Sequence, residues 1–276
     1  MKTTNFLLRL KLQKGIGYVK MLKIASQLDT ADVNLKALMK MDLPSNLKRA
    51  SLAAYNDDQA EIYVNRIKKQ CQVISFFDDV YPEQLRQIYR PPLVLFAQGD
   101  VNLLQQKIVT IVGSRMATSY SRSVLTKLVP HLVKKGWVIA SGLAKGVDVM
   151  AHKAALTSEG KTIAVVGNGL NHFYPLSNYH VQEQIIRRGL ILSEYLPDTP
   201  PRPFRFPQRN RILAGIAQKV IVTEAQEKSG SLITANLALQ ENRDIYAVPG
   251  PIDNELSAGP NKLIAAGAIP ITDYQL

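Results

Sequence analysis

The chain has 276 residues, 46% of them hydrophobic, and 34 Lys plus Arg against 22 Asp plus Glu give a formal net charge of +12. That length suits one large or two ordinary domains with a real core, and the charge favours a polyanionic partner: nucleic acid, an anionic membrane surface or a phosphorylated ligand. Cys71 is the one cysteine, which excludes an internal disulfide and a cysteine-based metal cluster and fits a reducing cytoplasm, while no apolar run approaches the roughly 18 residues of a membrane span.

Residues 1–70 read as an all-helical domain. Apolar positions recur every three or four residues, as in Leu22, Ala25 and Leu28 or Tyr63, Ile67 and Cys71, and Pro44 is the one proline. Arg9 and Lys11 break the first apolar run, which makes it a poor signal peptide. KGIG at 14–17 resembles a helix-hairpin-helix turn, and an ordinary helix–helix connection fits it as well. From residue 71 to 276 the texture changes to short β-rich runs: VISFF (73–77), KIVTIVG (107–113), WVIASG (137–142), TIAVVG (162–167), LILSEY (190–195), KVIVTEA (219–225), DIYAVPG (244–250) and IPIT (269–272). Several are apolar almost throughout, as parallel strands buried on both faces are. Crossover helices fit Ser119–Lys135, Asp148–Ser158, Tyr179–Arg188 and Ser231–Glu241, and the alternation predicts an open, doubly wound α/β sheet. Pro197–Pro207 reads as a rigid, extended connection.

In such a sheet ligands gather beyond the carboxyl ends of the strands. Four segments concentrate suitable chemistry there. Between Pro200 and Ala217, Arg202, Arg205, Arg209 and Arg211 crowd together without an acidic residue, alongside Phe204, Phe206 and Asn210. Guanidinium groups fork onto phosphates and aromatic faces stack on unpaired bases, while a solvated basic loop is the plainer reading. Gly113, Ser114 and Arg115 end a strand as half of a dinucleotide fingerprint, with Thr118 where its third glycine belongs. They fit either phosphate binding or a capped turn. SGLAKG (141–146) sets Lys145 at a strand–turn–helix junction, followed by Asp148 and His152 four residues apart, a structural pair or a dyad. Ser229, Gly230 and Ser231 open a helix as a cap or an anion seat. VGNGLNHFYP (166–175) is a weak dinucleotide signal, better read as a tight turn presenting Asn168 or Phe173. GKT (160–162) follows a helix and enters a strand, the reverse of a phosphate loop, so ATP binding is rejected, and no metal-ligand spacing is present.

Taken in order, YPEQL, RPPLVLFAQGD, IVGSR, IASGLAKGVDVMAH, TIAVVGNGL, LSEY, FPQRNRILAGIA, VTEAQEKSGSLITANLAL, YAVPGPI and GPNKLIAAGA resemble the DNA-processing protein A (DprA/Smf) family over about residues 80–270. The resemblance implies an extended Rossmann-like fold preceded by a sterile-alpha-motif-like domain, in a short form without the C-terminal winged-helix domain. It implies a cytoplasmic homodimer that is not an enzyme and uses no cofactor or metal. Such a protein binds single-stranded DNA during natural transformation, protects it and loads the recombinase RecA. Carried onto this chain, the DNA site would comprise Gly113, Ser114, Arg115, Lys145, Arg209, Asn210, Arg211 and Ser229–Ser231, with Phe206 stacking on bases and Arg202 and Arg205 on the approach. Leu176 stands where some members have a lysine. The alternative is a Rossmann-type enzyme acting on a phosphorylated nucleotide, with the strand-end serines, Asp148 and His152 converging on a small pocket.

Overall fold

A computed structural model describes residues 1–28 and 32–275. The domains expected over 1–70 and 71–276 therefore include residues 29–31 and 276, which lie outside the described ones. The chain divides into two compact units, Met1–Tyr81 with Pro92–Phe96, and Pro82–Pro91 with Ala97–Leu276.

The first unit contains helices α1 (Thr3–Leu12), α2 (Tyr18–Ala25), α3 (Leu35–Lys40), α4 (Ser45–Tyr55) and α5 (Asp58–Gln70), then strand β1 (Gln72–Ser75). Phe6, Leu7, Leu8 and Leu10 of α1 are fully buried. Arg9, on the same helix, is buried too, and it donates to the Tyr55 carbonyl at 2.6 Å and to the Glu61 carboxylate. Asp57 caps α5 by accepting from Ala60 N–H at 2.9 Å. The sequence places this unit's end at residue 70, but the observed unit also takes in β1 and residues 92–96, because Phe76 N–H bonds the Leu93 carbonyl at 3.1 Å. Strand β1 ends at Ser75, short of the expected 77, where the chain turns.

After α6 (Glu83–Arg86) comes β2 (Val94–Gly99), a strand the sequence reading does not anticipate. The second unit then alternates β3 (Ile108–Val112), α7 (Ser119–Lys134), β4 (Val138–Ser141), α8 (Val147–Thr157), β5 (Thr162–Val166), α9 (Tyr179–Arg188), β6 (Leu190–Ser193), α10 (Arg205–Ile216), β7 (Lys219–Val222), α11 (Gly230–Gln240), β8 (Asp244–Ala247), α12 (Glu255–Ala265) and β9 (Ile269–Pro270). Its strands lie in the order β6-β5-β4-β3-β7-β8-β9, paired parallel throughout, for example Ile108 with Val138 and Val109 with Lys219. This is the doubly wound, Rossmann-like α/β sheet that the alternation predicts.

Side chains of β3 alternate between its two faces. Val109 and Ile111 pack with Leu125, Leu128 and Leu132 of α7 and Ala151 and Ala155 of α8. Val112 packs with Ala214 of α10 and Ala235 and Ala238 of α11. Between them Thr110 donates its hydroxyl to the Leu213 carbonyl at 2.9 Å, so this buried polar group is satisfied. The chain runs outward from β3 to β6, then returns to lay β7 against the other side of β3. The direction of winding thus reverses between β3 and β7, the place where such sheets open a crevice.

The expected extended connection over 197–207 is shorter than its prolines suggest. Helix α10 already begins at Arg205 and takes Pro207 into its first turn, where the missing N–H has no helical partner to lose.

Candidate nucleic-acid interface

A cleft of about 430 Å³ opens at this reversal, over the carboxyl ends of β3 and β7. The loop after β3 contributes Gly113, Ser114, Arg115 and Met116; α10 contributes Phe206, Arg209 and Asn210; the loop before α11 and its first turn contribute Gln226, Lys228, Ser229, Gly230, Ser231 and Thr234. Asp148 is the one acidic residue of its lining among the described residues, and it is buried below the surface.

Three loops fix the Arg115 segment. Ser114 N–H donates to the Glu224 carbonyl at 2.6 Å, and its own carbonyl accepts from Val147 N–H at 3.1 Å. Its hydroxyl accepts from Met116 N–H at 3.0 Å. Arg115 is exposed and lies 5.8 Å from the centre of the Phe206 ring. That ring stacks on Tyr174 with centroids 5.4 Å apart and planes at 27°. Gly167 makes room for it, since a Cβ there would lie 2.7 Å from Phe206 Cδ1. A smaller cavity of about 70 Å³ adjoins the two rings and holds Lys145 alongside Arg115. The geometry pairs cations with an aromatic platform, as an unpaired strand requires.

Across the cleft, α11 presents its amino end, where the first N–H groups have no intrahelical partner and the helix dipole favours an anion. Ser229 stands at the N-cap position with extended backbone, but its hydroxyl makes no capping bond and its Oγ is buried without a hydrogen-bond partner. The cap expected from SGS therefore does not form through this side chain. Asn210 donates to the Gly230 carbonyl at 3.2 Å and holds α11 against α10. Lys228, exposed beside Ser229, is a cation the sequence reading missed, although EKSGS carries it one position before the motif.

The four arginines separate. Arg209 is 4% exposed and donates Nη1 to the Gly142 carbonyl at 2.8 Å and to the Val165 carbonyl, joining the ends of β4 and β5 under the cleft floor. Burial lowers its pKa to about 10, opposed by nearby Asp148. Gly142 leaves room for the guanidinium, as a Cβ there would lie 2.3 Å from Arg209 Nη1. Arg211 is ion-paired, with Nη2 donating to Glu194 at 2.7 and 2.8 Å and Nε to the Arg90 carbonyl at 3.0 Å. The four unpaired cations expected from the run are thus a correction: a carboxylate 17 residues earlier neutralises Arg211. Arg205 donates to the Pro200 carbonyl and packs over Tyr195 at 5.1 Å and Phe204 at 5.4 Å, while Arg202 is exposed; neither lines the cleft.

Asp148 and His152 do not bond each other. Asp148 accepts from Gly142 N–H at 3.1 Å and Ala144 N–H at 3.3 Å, and burial raises its pKa. His152 is fully buried with Nδ1 2.7 Å from Thr162 Oγ1, and burial followed by Arg209 lowers its pKa to about 3. Of the two residues read as presented by the 166–175 turn, Asn168 is buried and Phe173 packs on Tyr179 at 4.4 Å. Leu176 is 75% exposed. No group of His, Cys, Asp and Glu suited to a metal ion occurs among the described residues.

An open doubly wound sheet with a cationic, aromatic-edged cleft at its winding reversal defines a Rossmann-like α/β protein. Residues 72–275 match the family DNA recombination-mediator protein A, and the chain belongs to that family. It is 39% identical to the DNA processing protein DprA of Streptococcus pneumoniae over 100% of this chain and 97% of that one. It is 45% identical to the DNA processing protein DprA of Bacillus subtilis over 68% of this chain, spanning 64% of that relative's length. The X-ray structure of DNA processing protein A from S. pneumoniae superposes with a TM-score of 0.86 at 38% identity, covering 100% of this chain and 97% of that one. DNA processing protein A from Helicobacter pylori, solved for its single-stranded DNA binding mode, superposes with a TM-score of 0.69 at 34% identity over 75% of this chain and 93% of that one.

Proposed function

We propose that this chain is a recombination mediator that binds single-stranded DNA in the cleft between β3 and β7. The observation carrying this reading is the union, in one cleft, of Arg115, Lys228, the α11 amino end and Phe206, whose ring stacks on Tyr174 of the adjoining smaller cavity. Phosphates lie against the cations and helix N–H groups; bases lie on the rings. Gly113 and Ser114 shape the floor, Ser229–Ser231 and Asn210 form the α11 wall, and Lys145 extends the cationic rim. Arg209 supports the floor, and Arg202, Arg205 and Arg211 stand outside it. Family membership further supports protection of incoming DNA, hand-over to RecA, action as a homodimer in the cytoplasm, and a role without catalysis. The rival reading, an enzyme acting on a phosphorylated nucleotide, is disfavoured because His152 is sealed beneath the sheet edge rather than lining the cleft.

Titration with a short oligothymidine across a salt series tests the reading. Each phosphate neutralised adds about −0.7 to the slope of log affinity against log salt for a single strand. Arg115→Ala is expected to weaken binding several-fold and flatten the slope by about 0.7. Unchanged binding in a folded Arg115→Ala protein would remove the cleft from DNA recognition.

A further inference from the structure

The opposite edge of the same sheet is also cationic, and nothing in the cleft uses it. Because the strands are parallel, their amino ends share one rim, in the order β6, β5, β4, β3, β7. Arg188 stands two positions before β6, Lys161 immediately precedes β5, Lys134 ends α7 ahead of β4, and Lys107 immediately precedes β3. All four side chains belong to exposed residues, and none has a carboxylate partner within ion-pair distance among the described residues. The row is continuous: Lys161 Nζ donates to the Arg188 carbonyl at 3.3 Å, Ile139 N–H bonds the Lys161 carbonyl and Val138 N–H bonds the Lys107 carbonyl. Neighbouring strands are about 4.8 Å apart, so residues at the amino ends of successive strands are near neighbours along the rim. Helix carboxyl ends on this rim account for some of the preference for cations. They give no reason for Lys107, which follows a short 3-10 turn rather than a long helix.

We infer that the amino-terminal rim of the sheet is a second contact surface for the phosphate backbone of nucleic acid, about 13–17 Å from the cleft across strands of four or five residues. The inference rests on the cleft reading above. The rim reads backbone and not bases. Its one nearby indole, Trp137, lies 5.3 Å from Lys219 Nζ, which also contacts the Tyr246 ring at 4.9 Å and donates to its hydroxyl at 3.1 Å. That aromatic cluster is already occupied by a cation. A lipid surface fits less well, because no large apolar side chain is exposed along Lys107, Lys134–Val138, Lys161 or Arg188 to insert between headgroups. The backbone can come from the remainder of a long single strand or from a duplex flanking it.

The test compares the parent with a variant carrying Lys107→Gln, Lys134→Gln, Lys161→Gln and Arg188→Gln, checked by thermal melting. Three ligands are titrated over a salt series: a short oligothymidine sized to the cleft, a long oligothymidine, and a duplex with a short single-stranded tail. The parent is expected to bind the longer ligands at least tenfold more tightly and with a steeper salt slope. The variant is expected to bind the short ligand normally and lose that gain, with the slope falling by about 0.7 per lost contact. The ligand that shows the gain identifies its source as strand or duplex. A gain retained in the variant assigns the extra contacts to a second copy's cleft and overturns the rim surface. Loss of binding to phosphatidylserine vesicles in the variant, with DNA binding intact, also overturns it in favour of a membrane. A parent that binds no DNA at all overturns the cleft reading itself.

Discussion

Gly167→Ala tests the aromatic platform without touching a charge. The added Cβ would lie 2.7 Å from Phe206 Cδ1 and 3.1 Å from Cε1, against an ordinary carbon–carbon contact of about 3.5–4.0 Å. The backbone at Gly167 is outside the left-handed region, so the substitution acts through the ring and not through strain. Relief requires the ring to move by roughly 1 Å, out of its stack with Tyr174. Overpacking of this size costs about 1–3 kcal/mol of stability. Stacking on a base is worth on the order of 1–3 kcal/mol, and losing part of it predicts binding weaker by about five- to tenfold, roughly 1–1.4 kcal/mol. The salt slope should not change, because no cation is lost. Fluorescence anisotropy with oligothymidine at several salt concentrations, beside a thermal melt, reads both quantities. Parental affinity in a variant whose melting temperature has fallen would refute the platform, and Phe206→Leu should reproduce the affinity loss.

Four further outcomes follow from the geometry. Arg209→Ala leaves two strand-end carbonyls and the buried Asp148 without their cation, and should cost about 3–5 kcal/mol in urea unfolding, whereas Arg202→Ala should be nearly neutral. His152 protonates near pH 3 when folded but near 6.5 when unfolded, so acid favours the unfolded chain. Its contribution to stability is complete above about pH 6.5 and is lost as pH falls toward 3, while the raised pKa of Asp148 acts in the opposite sense. Proton titration by NMR should show His152 neutral at pH 5, and a His152 that titrates near 6.5 would contradict its burial. Burial pushes the Cys71 thiol up to about 11, so its alkylation at pH 8 should be slow in the folded protein and fast in denaturant.

The sheet was legible because its strands are buried on both faces and read as unbroken apolar runs; the β3 run KIVTIVG and the β7 run KVIVTEA each contain the observed strand. Strand β2 escaped because LVLFAQG stands between Pro92 and Asp100 without an adjoining helical pattern. The start of α10 was hidden by Pro207, which reads as extended chain although a first helical turn accepts it. At the site, glycine-rich strand ends point to Arg115 and Ser229–Ser231, and these line one cleft. Side-chain partners were not legible. No local pattern shows that Glu194 reaches Arg211, or that the Gly142 and Val165 carbonyls draw Arg209 inward. Those contacts join segments 17 to 67 residues apart. Lys228 was readable in principle, as a cation adjoining a helix-opening SGS.

Photocrosslinking of a short oligonucleotide bearing 5-iododeoxyuridine, followed by mass spectrometry of the adducts, tests most directly whether the cleft between β3 and β7 holds single-stranded DNA. The predicted result is adduct formation on Tyr174 or Phe206, abolished by excess unlabelled single strand and reduced in Arg115→Ala. Adducts confined to peptides that line neither cavity, with Tyr174 and Phe206 unmodified, would contradict it.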